Sequence, residues 1–158
     1  MKFVEKIINI LYRKRNPVNW QGLRHTTPFE PHFGCYRGTP VDRYYIEQFL
    51  HTHRNHIQGT VLEVGDNIYT GKFGQPAVQS EVLHYDASAS KASIIGDLTL
   101  IDTLPAQVAD CFICTQTLNF IFDVDRAVAG IKHLLKPDGT ALVTLAGLCQ
   151  VSKYDYDR

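Results

Sequence analysis

The sequence predicts an α/β protein built on a doubly wound, mostly parallel sheet of about five strands. Three observations carry that expectation. Five short apolar runs recur along the chain, each too uniformly apolar for a sheet with one wetted face. Stretches with the 3.6-residue period of helices, or crossovers, separate them. The first three runs each end in or beside an acid, which places carboxylates along one edge of the sheet, where open α/β sheets bind ligands.

Composition sets the outer limits. With 158 residues, 44% of them hydrophobic, the chain suits one domain with a real core. We expect an N-terminal helix and an irregular aromatic and basic segment over 1–38, the α/β domain over 39–150, and a polar tail over 151–158. Sixteen basic residues balance sixteen acidic ones, so no overall field draws the chain to nucleic acid. The basic excess lies early, with Lys2, Lys6, Arg13, Lys14, Arg15, Arg24 and Arg37 set against Glu5 and Glu30 within the first forty residues. No apolar run is long enough to span a bilayer and no signal-peptide core opens the chain, so the expected compartment is cytoplasmic. Four cysteines suit buried thiols rather than a disulfide scaffold.

In chain order, Phe3 to Tyr12 has the apolar spacing of a short amphipathic helix. Asn16 to Gly38 is rich in Pro, Gly and aromatics; it reads as irregular structure, either a surface loop anchored by Trp20 and Phe33 or a flap over a pocket. Thr39 and Pro40 start a helix expected to reach about Asn55, with Val41, Tyr45 and Phe49, joined by Tyr44, as its core stripe. His51, His53 and His56 lack the convergent third or fourth ligand of a zinc site, so no metal is expected. Gly59 to Asp66 is the stretch around which the rest is arranged. Thr60 to Val64 form a buried strand and Gly65 permits a tight turn, while Glu63 either faces a crevice or is a hydrogen-bonded structural acid.

Glu81 to Asp86 is the second strand, Ala92 to Asp97 the third and Val108 to Gln116 the fourth. Cys111 and Cys114 fall inside that fourth strand. Residues three apart in a strand point to opposite faces, so the pair reads as two separate buried thiols and not as a redox motif. Asp123 caps a helix with a clear stripe of Val124, Ala127, Val128, Ile131, Leu134 and Leu135. Lys136 to Gly139 stops it, and Thr140 to Leu145 is the fifth strand.

The strand-end acids have a chemistry. Glu63, Asp86 and Asp97 lie at the ends of successive strands, and Asp86 follows Glu63 by 23 residues, near the spacing of roughly 20 at which an acid holds a ribose in nucleotide-binding α/β folds. Each acid taken alone is equally readable as a turn cap.

At these residues the chain resembles the class I S-adenosylmethionine-dependent methyltransferases, over about 40 to 147. The resemblance rests on Leu62-Glu-Val-Gly65, Asp86, the Gly96-Asp-Leu98 segment, the strand before Gln116, and Leu135-Lys-Pro-Asp-Gly139. Arg37 to Glu47 and Glu63 to Gly74 look more narrowly like a bacterial branch found beside glycosyltransferases, which implies a glycan-related acceptor. The resemblance implies a Rossmann-like sheet, shorter at its C-terminal end than the usual seven strands. It implies S-adenosylmethionine as cofactor, held by Glu63, Gly65, Asp66, Asp86, Asp97, Leu98, Thr115 and Gln116. Gly65 and its neighbours would approach the methionine part, Asp86 the ribose, Asp97 and Leu98 the adenine, and Thr115 to Thr117 the far side. Asn67 and Tyr69 stand where the family places two further glycines, and Gly71 and Gly74 lie beyond them.

The expected activity is methyl transfer to a small-molecule or glycan acceptor. Two alternatives stand beside it. One is a cofactor-binding or interaction module with impaired catalysis, because the chain stops near where a sixth and seventh strand would begin and is expected to catalyse poorly as given. The other, less favoured, is a nicotinamide-dependent oxidoreductase, for which Gly65-Asp-Asn-Ile-Tyr-Thr70 is the wrong turn. The catalytic residue is not identified by the sequence. His25, His84 and Asn119 are candidate bases, and Arg43 is a candidate partner for the cofactor carboxylate. An open fifth-strand edge would allow pairing with a second copy of the chain.

Overall fold

The computed structural model describes residues 38–147. The expected first helix, the aromatic segment up to Arg37, the C-terminal tail and His25 lie outside the described residues. The chain divides into two units, Met1–Arg43 and Tyr44–Arg158.

The described elements are α1 (Val41–Thr52), β1 (Thr60–Val64), α2 (Ile68–Phe73), β2 (Gln79–His84), β3 (Ile94–Ile95), β4 (Ala109–Thr115), α3 (Val124–Leu134) and β5 (Leu135–Thr144). All four strand pairings are parallel, and the order across the sheet is β3-β2-β1-β4-β5. This is the expected doubly wound α/β fold with five strands. The order reverses at β1, whose neighbours are β2 on one side and β4 on the other. Such a switch point opens a crevice at the carboxyl ends of the strands, because the connections leaving them go to opposite faces.

Both faces of the sheet are covered, which explains the apolar strands. Leu62, Leu83, Phe112 and Cys114 pack with Ala127, Ile131 and Leu134 of α3 on one face. Val61, Cys111, Ile113 and Leu142 pack with Ile46, Leu50, Ile57 and Tyr69 on the other. Cys111 and Cys114 therefore belong to different cores, as the strand period requires. Burial pushes the Cys111 thiol up to about 12, with the charge of Asp110 adding to it. Burial also lifts Cys114 to about 11, against a hydrogen bond from Thr117.

Several boundaries differ from the sequence expectation. On α1 the buried residues are Ile46 and Leu50, whereas Tyr44 and Tyr45 are 54% and 67% exposed and Val41 is also exposed. The aliphatic pair, four residues apart, faces Ile57 and Val61, and this turns the aromatic stripe outward except for half-buried Phe49. The α-helix ends at Thr52, and a single 3-10 turn over Arg54–His56 follows. The second strand starts two residues early and ends at His84, because Asp86 closes a turn with Ser88. The third is only two residues long.

The fifth strand begins at Leu135 instead of Thr140. Leu135 pairs with Ala109 and Thr140 with Cys111, so Lys136 to Gly139 bulge out opposite a single residue, Asp110. Asp138 takes a positive φ of 64° in that bulge. Asp110 then ties three strands together. Its Oδ2 accepts from the Thr60 N–H at 2.8 Å and from Lys136 Nζ at 2.8 Å. Gly59 is needed beside it, with φ at 66° and a would-be Cβ only 2.5 Å from that same oxygen. Among the described residues β5 forms one edge of the sheet and β3 the other.

Candidate functional site

A cavity of about 710 Å³ opens at the carboxyl ends of β1 to β4, on the switch-point edge of the sheet. Its size falls within the usual range of small-molecule sites, roughly 300–1,000 Å³. Val64 and Gly65 contribute from the end of β1, Leu83 to Tyr85 from β2, and Gly96 to Thr99 from beyond β3. On the other side of β1 it is lined by Gln116, Thr117 and Phe120 to Asp123.

Gly65 shapes the floor. Its φ is 82°, which side chains other than glycine rarely adopt, and nothing lies within 4 Å of where a Cβ would stand. The space a side chain would fill is thus left to a ligand. The turn is fastened below by the Gly65 N–H, which donates to the Leu83 carbonyl at 2.9 Å.

Glu63 is not a lining residue. Its carboxylate is turned toward the start of α2, where Oε1 accepts from the Tyr69 N–H at 3.2 Å and Oε2 from the Thr70 N–H and the Thr70 hydroxyl, each at 2.8 Å. Its carboxylate is thus engaged at the start of α2, in keeping with the sequence reading of a hydrogen-bonded structural acid, and it does not border the cavity. Burial raises its pKa above the ordinary carboxylate value, and the Asp66 charge adds to this, while the bonds from Thr70 and Tyr69 work in the opposite direction. Satisfying the first amides of a short helix is a direct use for a buried carboxylate.

The same contact explains Tyr69. Its ring is 5% exposed and stacks on Phe73 with centroids 6.3 Å apart. Where the resemblance leads one to look for a glycine, the chain has a core side chain and a helix start. Asn67 stands immediately before α2 and its amide reaches Ser80 Oγ at 3.3 Å.

Asp66 lies just outside the cavity lining. Lys91 bonds it at 2.8 Å and holds its carboxyl below the usual value, helped by the Asn67 N–H. Asp86 is also beyond the lining, next to Tyr85. Its two oxygens accept from the Ser88 N–H and hydroxyl at 2.8 Å each, which lowers its pKa, and each keeps a lone pair for a further donor. Asp97 and Leu98 do line the cavity. Asp97 Oδ1 accepts from the Thr99 N–H and hydroxyl at 2.8 Å each. Gly96 is held close by Leu104 and Thr103, whose atoms leave no room for a Cβ. Gln116 and Thr117 line the other side, while Thr115 is one residue short of it and is paired with Thr144 in the sheet.

Of the candidate bases, His84 lines the cavity, but its Nδ1 accepts from the Asp86 N–H at 3.0 Å. The neutral ring thus presents Nε2–H, a donor, to its surroundings. Asn119 is exposed and does not contribute to the lining. Arg43 lies exposed in α1.

The segment from Phe120 to Phe122 is a feature that sequence reasoning missed. Phe122 is 89% exposed yet lines the cavity. A signal was present: Phe120-Ile-Phe122 is an apolar run just before the Asp123 cap, outside any periodic element.

Comparison with known proteins bears directly on this geometry. Residues 72–143 match a family model described as a methyltransferase domain. The methyltransferase-domain match runs from α2 into β5 and includes the strand ends that form most of the cavity. Among solved structures, the chain is similar to the selenomethionine-substituted CurJ carbon methyltransferase, with a TM-score of 0.52 and 13% identity over 79% of this chain. The chain spans 40% of the length of that protein. A comparison with curated proteins gives no match. The likeness at this identity concerns the fold: a Rossmann-like methyltransferase sheet, shorter than the usual seven strands. The family match concerns residues 72–143, and the structural likeness concerns the fold.

Proposed function

We propose that the chain is an S-adenosylmethionine-dependent methyltransferase domain whose cofactor occupies the cavity at the ends of β1 to β4. The observation that carries this reading is Gly65: a positive-φ glycine with open space over it, at the switch point of a parallel sheet, inside a chain with a methyltransferase-domain match. When bound, S-adenosylmethionine supplies a methyl group on a sulfonium, ready for in-line displacement. The residues of this chain would bind and orient. Gly65 admits the methionine part, Asp86 takes ribose hydroxyls on its remaining lone pairs, and Asp97 with Leu98 meets the adenine. Gln116, with Thr115 behind it, closes the far side. Asp97 on the cavity wall favours a cationic ligand.

Alignment and exclusion of water are what such a site contributes to methyl transfer. The acceptor is a small molecule, with a glycan-related compound as the finer reading, and the compartment is cytoplasmic. The outer edge of β5 offers a surface for pairing with a second copy. The test is calorimetric titration with S-adenosylhomocysteine. Binding is expected, and Asp86→Ala should weaken it roughly ten- to a hundredfold, the effect of losing a charge-assisted hydrogen bond. Unchanged binding in Asp86→Ala removes the ribose assignment, and no binding by the parent chain removes the reading.

A further inference from the structure

The cavity has two walls, and the reading above leaves Phe120 to Phe122 of the second unused. Around β1 to β3 the lining is Val64, Leu83, His84 and Tyr85 with the turns at Gly65 and at Gly96 to Thr99, where Asp97 is the one acid. Beyond β1, on the β4 side, it is Gln116 followed by Phe120, Ile121 and Phe122. We infer that this second wall is the acceptor subsite, and that it takes an uncharged molecule with a flat apolar face and a hydroxyl or amine at its edge. The inference deepens the proposed function and rests on it.

The apolar half follows from exposure. Phe122 leaves 89% of its surface in solvent although it stands on a cavity wall. Exposed aromatic faces beside a concave site are surfaces that gain from being covered, and a flat apolar partner covers them best.

The polar half follows from strain. Gln116 has φ at 54°, a left-handed conformation that glycine adopts without cost and that other residues rarely take. Its N–H is anchored to the Thr144 carbonyl at 3.0 Å, so the backbone cannot relax without breaking the sheet's last bond. The strained position puts on the wall a side-chain amide that both donates and accepts, which suits a hydroxyl or amine. Thr117, next along, already donates its hydroxyl to the Thr115 carbonyl at 3.1 Å. Charge points the same way, since the carboxylate of Asp97 on the wall repels an anionic acceptor, whereas that of Asp123 is paired with Arg126 at 3.2 Å.

An aromatic alcohol and a sugar both offer this chemistry, the sugar through its C–H face. The experiment uses protein loaded with S-adenosylhomocysteine and titrates 2-naphthol, methyl β-glucoside and 2-naphthyl phosphate. We expect one of the two uncharged probes to bind, which tells the aromatic from the sugar source, and the phosphate to bind far more weakly. Phe122→Ala should weaken the bound probe about fivefold or more, with S-adenosylhomocysteine affinity unchanged. Gln116→Gly relieves the strained φ, so it should melt at the same or a higher temperature and still lose probe affinity. A purely structural glutamine would leave probe binding intact. The inference is overturned if the phosphate binds as well as naphthol, if neither uncharged probe binds, or if Phe122→Ala and Gln116→Gly bind the probe like the parent. If S-adenosylhomocysteine itself fails to bind, the parent reading falls and takes this one with it, an outcome distinct from the others.

Discussion

Gly130 of α3 lies against the carbonyl of Leu98 so closely that a Cβ at that position would overlap it, and Leu104 closes the space from another side. Leu98 is itself a wall of the cavity. A helix in the core and the lining of the site are thus in direct backbone contact.

Gly130→Ala should destabilise the domain by about 1–3 kcal/mol through overpacking, although alanine is the better helix former. Because the displaced atoms belong to Leu98, S-adenosylhomocysteine affinity should fall as well. Thermal melting and calorimetry on the same variant check both. A variant of parent stability and affinity would show that α3 moves away freely.

The turn after β1 is built around its own side chains. Tyr69→Gly removes a core ring and weakens the start of α2 that Glu63 holds. We expect a loss of about 3 kcal/mol or more and no gain in cofactor affinity, alone or with Asn67→Gly. Denaturant unfolding measures the first and titration the second. Tighter binding in the double variant would mean that the glycine pattern of the methyltransferases the turn resembles had been the better turn here.

Asp110 gives a pH dependence of known sign. Lys136, then the Thr60 N–H, holds its carboxyl below the ordinary value of 3.8. Its contribution to stability is present above about that pH and is lost as pH falls through the lower folded value. In Asp110→Asn the melting temperature should fall less steeply on acidification over this window. Parallel parent and variant curves would show that the contact with Lys136 is screened away.

Cys111 and Cys114, with thiols pushed up to about 12 and 11 and buried in separate cores, should resist alkylation in the native state. Peptide mass spectrometry after N-ethylmaleimide treatment at neutral pH should find both unmodified until denaturant is added. A bond between the two sulfurs in the native protein would contradict the placement on opposite faces.

Much of this was legible because burial on both faces leaves an unmistakable mark on strands. Thr60 to Val64 and Ala109 to Thr115 are where period and composition put them, and the separation of Cys111 from Cys114 needs only the pleat. The misreadings have local causes. On α1, Tyr44 and Tyr45 looked like core because they share a helical stripe with Val41 and Phe49, but Ile46 and Leu50 are what meets the sheet. Lys136-Pro-Asp-Gly139 has every mark of a turn, and nothing within it announces that Leu135 already pairs with Ala109. Glu63 could be read two ways until the helix it caps was seen, since the amides of Tyr69 and Thr70 come to it through a turn. Phe120 to Phe122 escaped because apolar residues in a connection follow no period, so their role shows only when the cavity they border is in view.

The contact of Asp110 with Thr60 and Lys136 lies at the amino end of the sheet, away from the cavity rim. Three strands are stitched there by one carboxylate, so their alignment does not depend on the loops that meet a ligand. For anyone wishing to redirect this scaffold, Phe120 and Phe122 form an exchangeable lip beside the buried Leu118: they can be rewritten for a new guest while the seam at the opposite end keeps the strands in step.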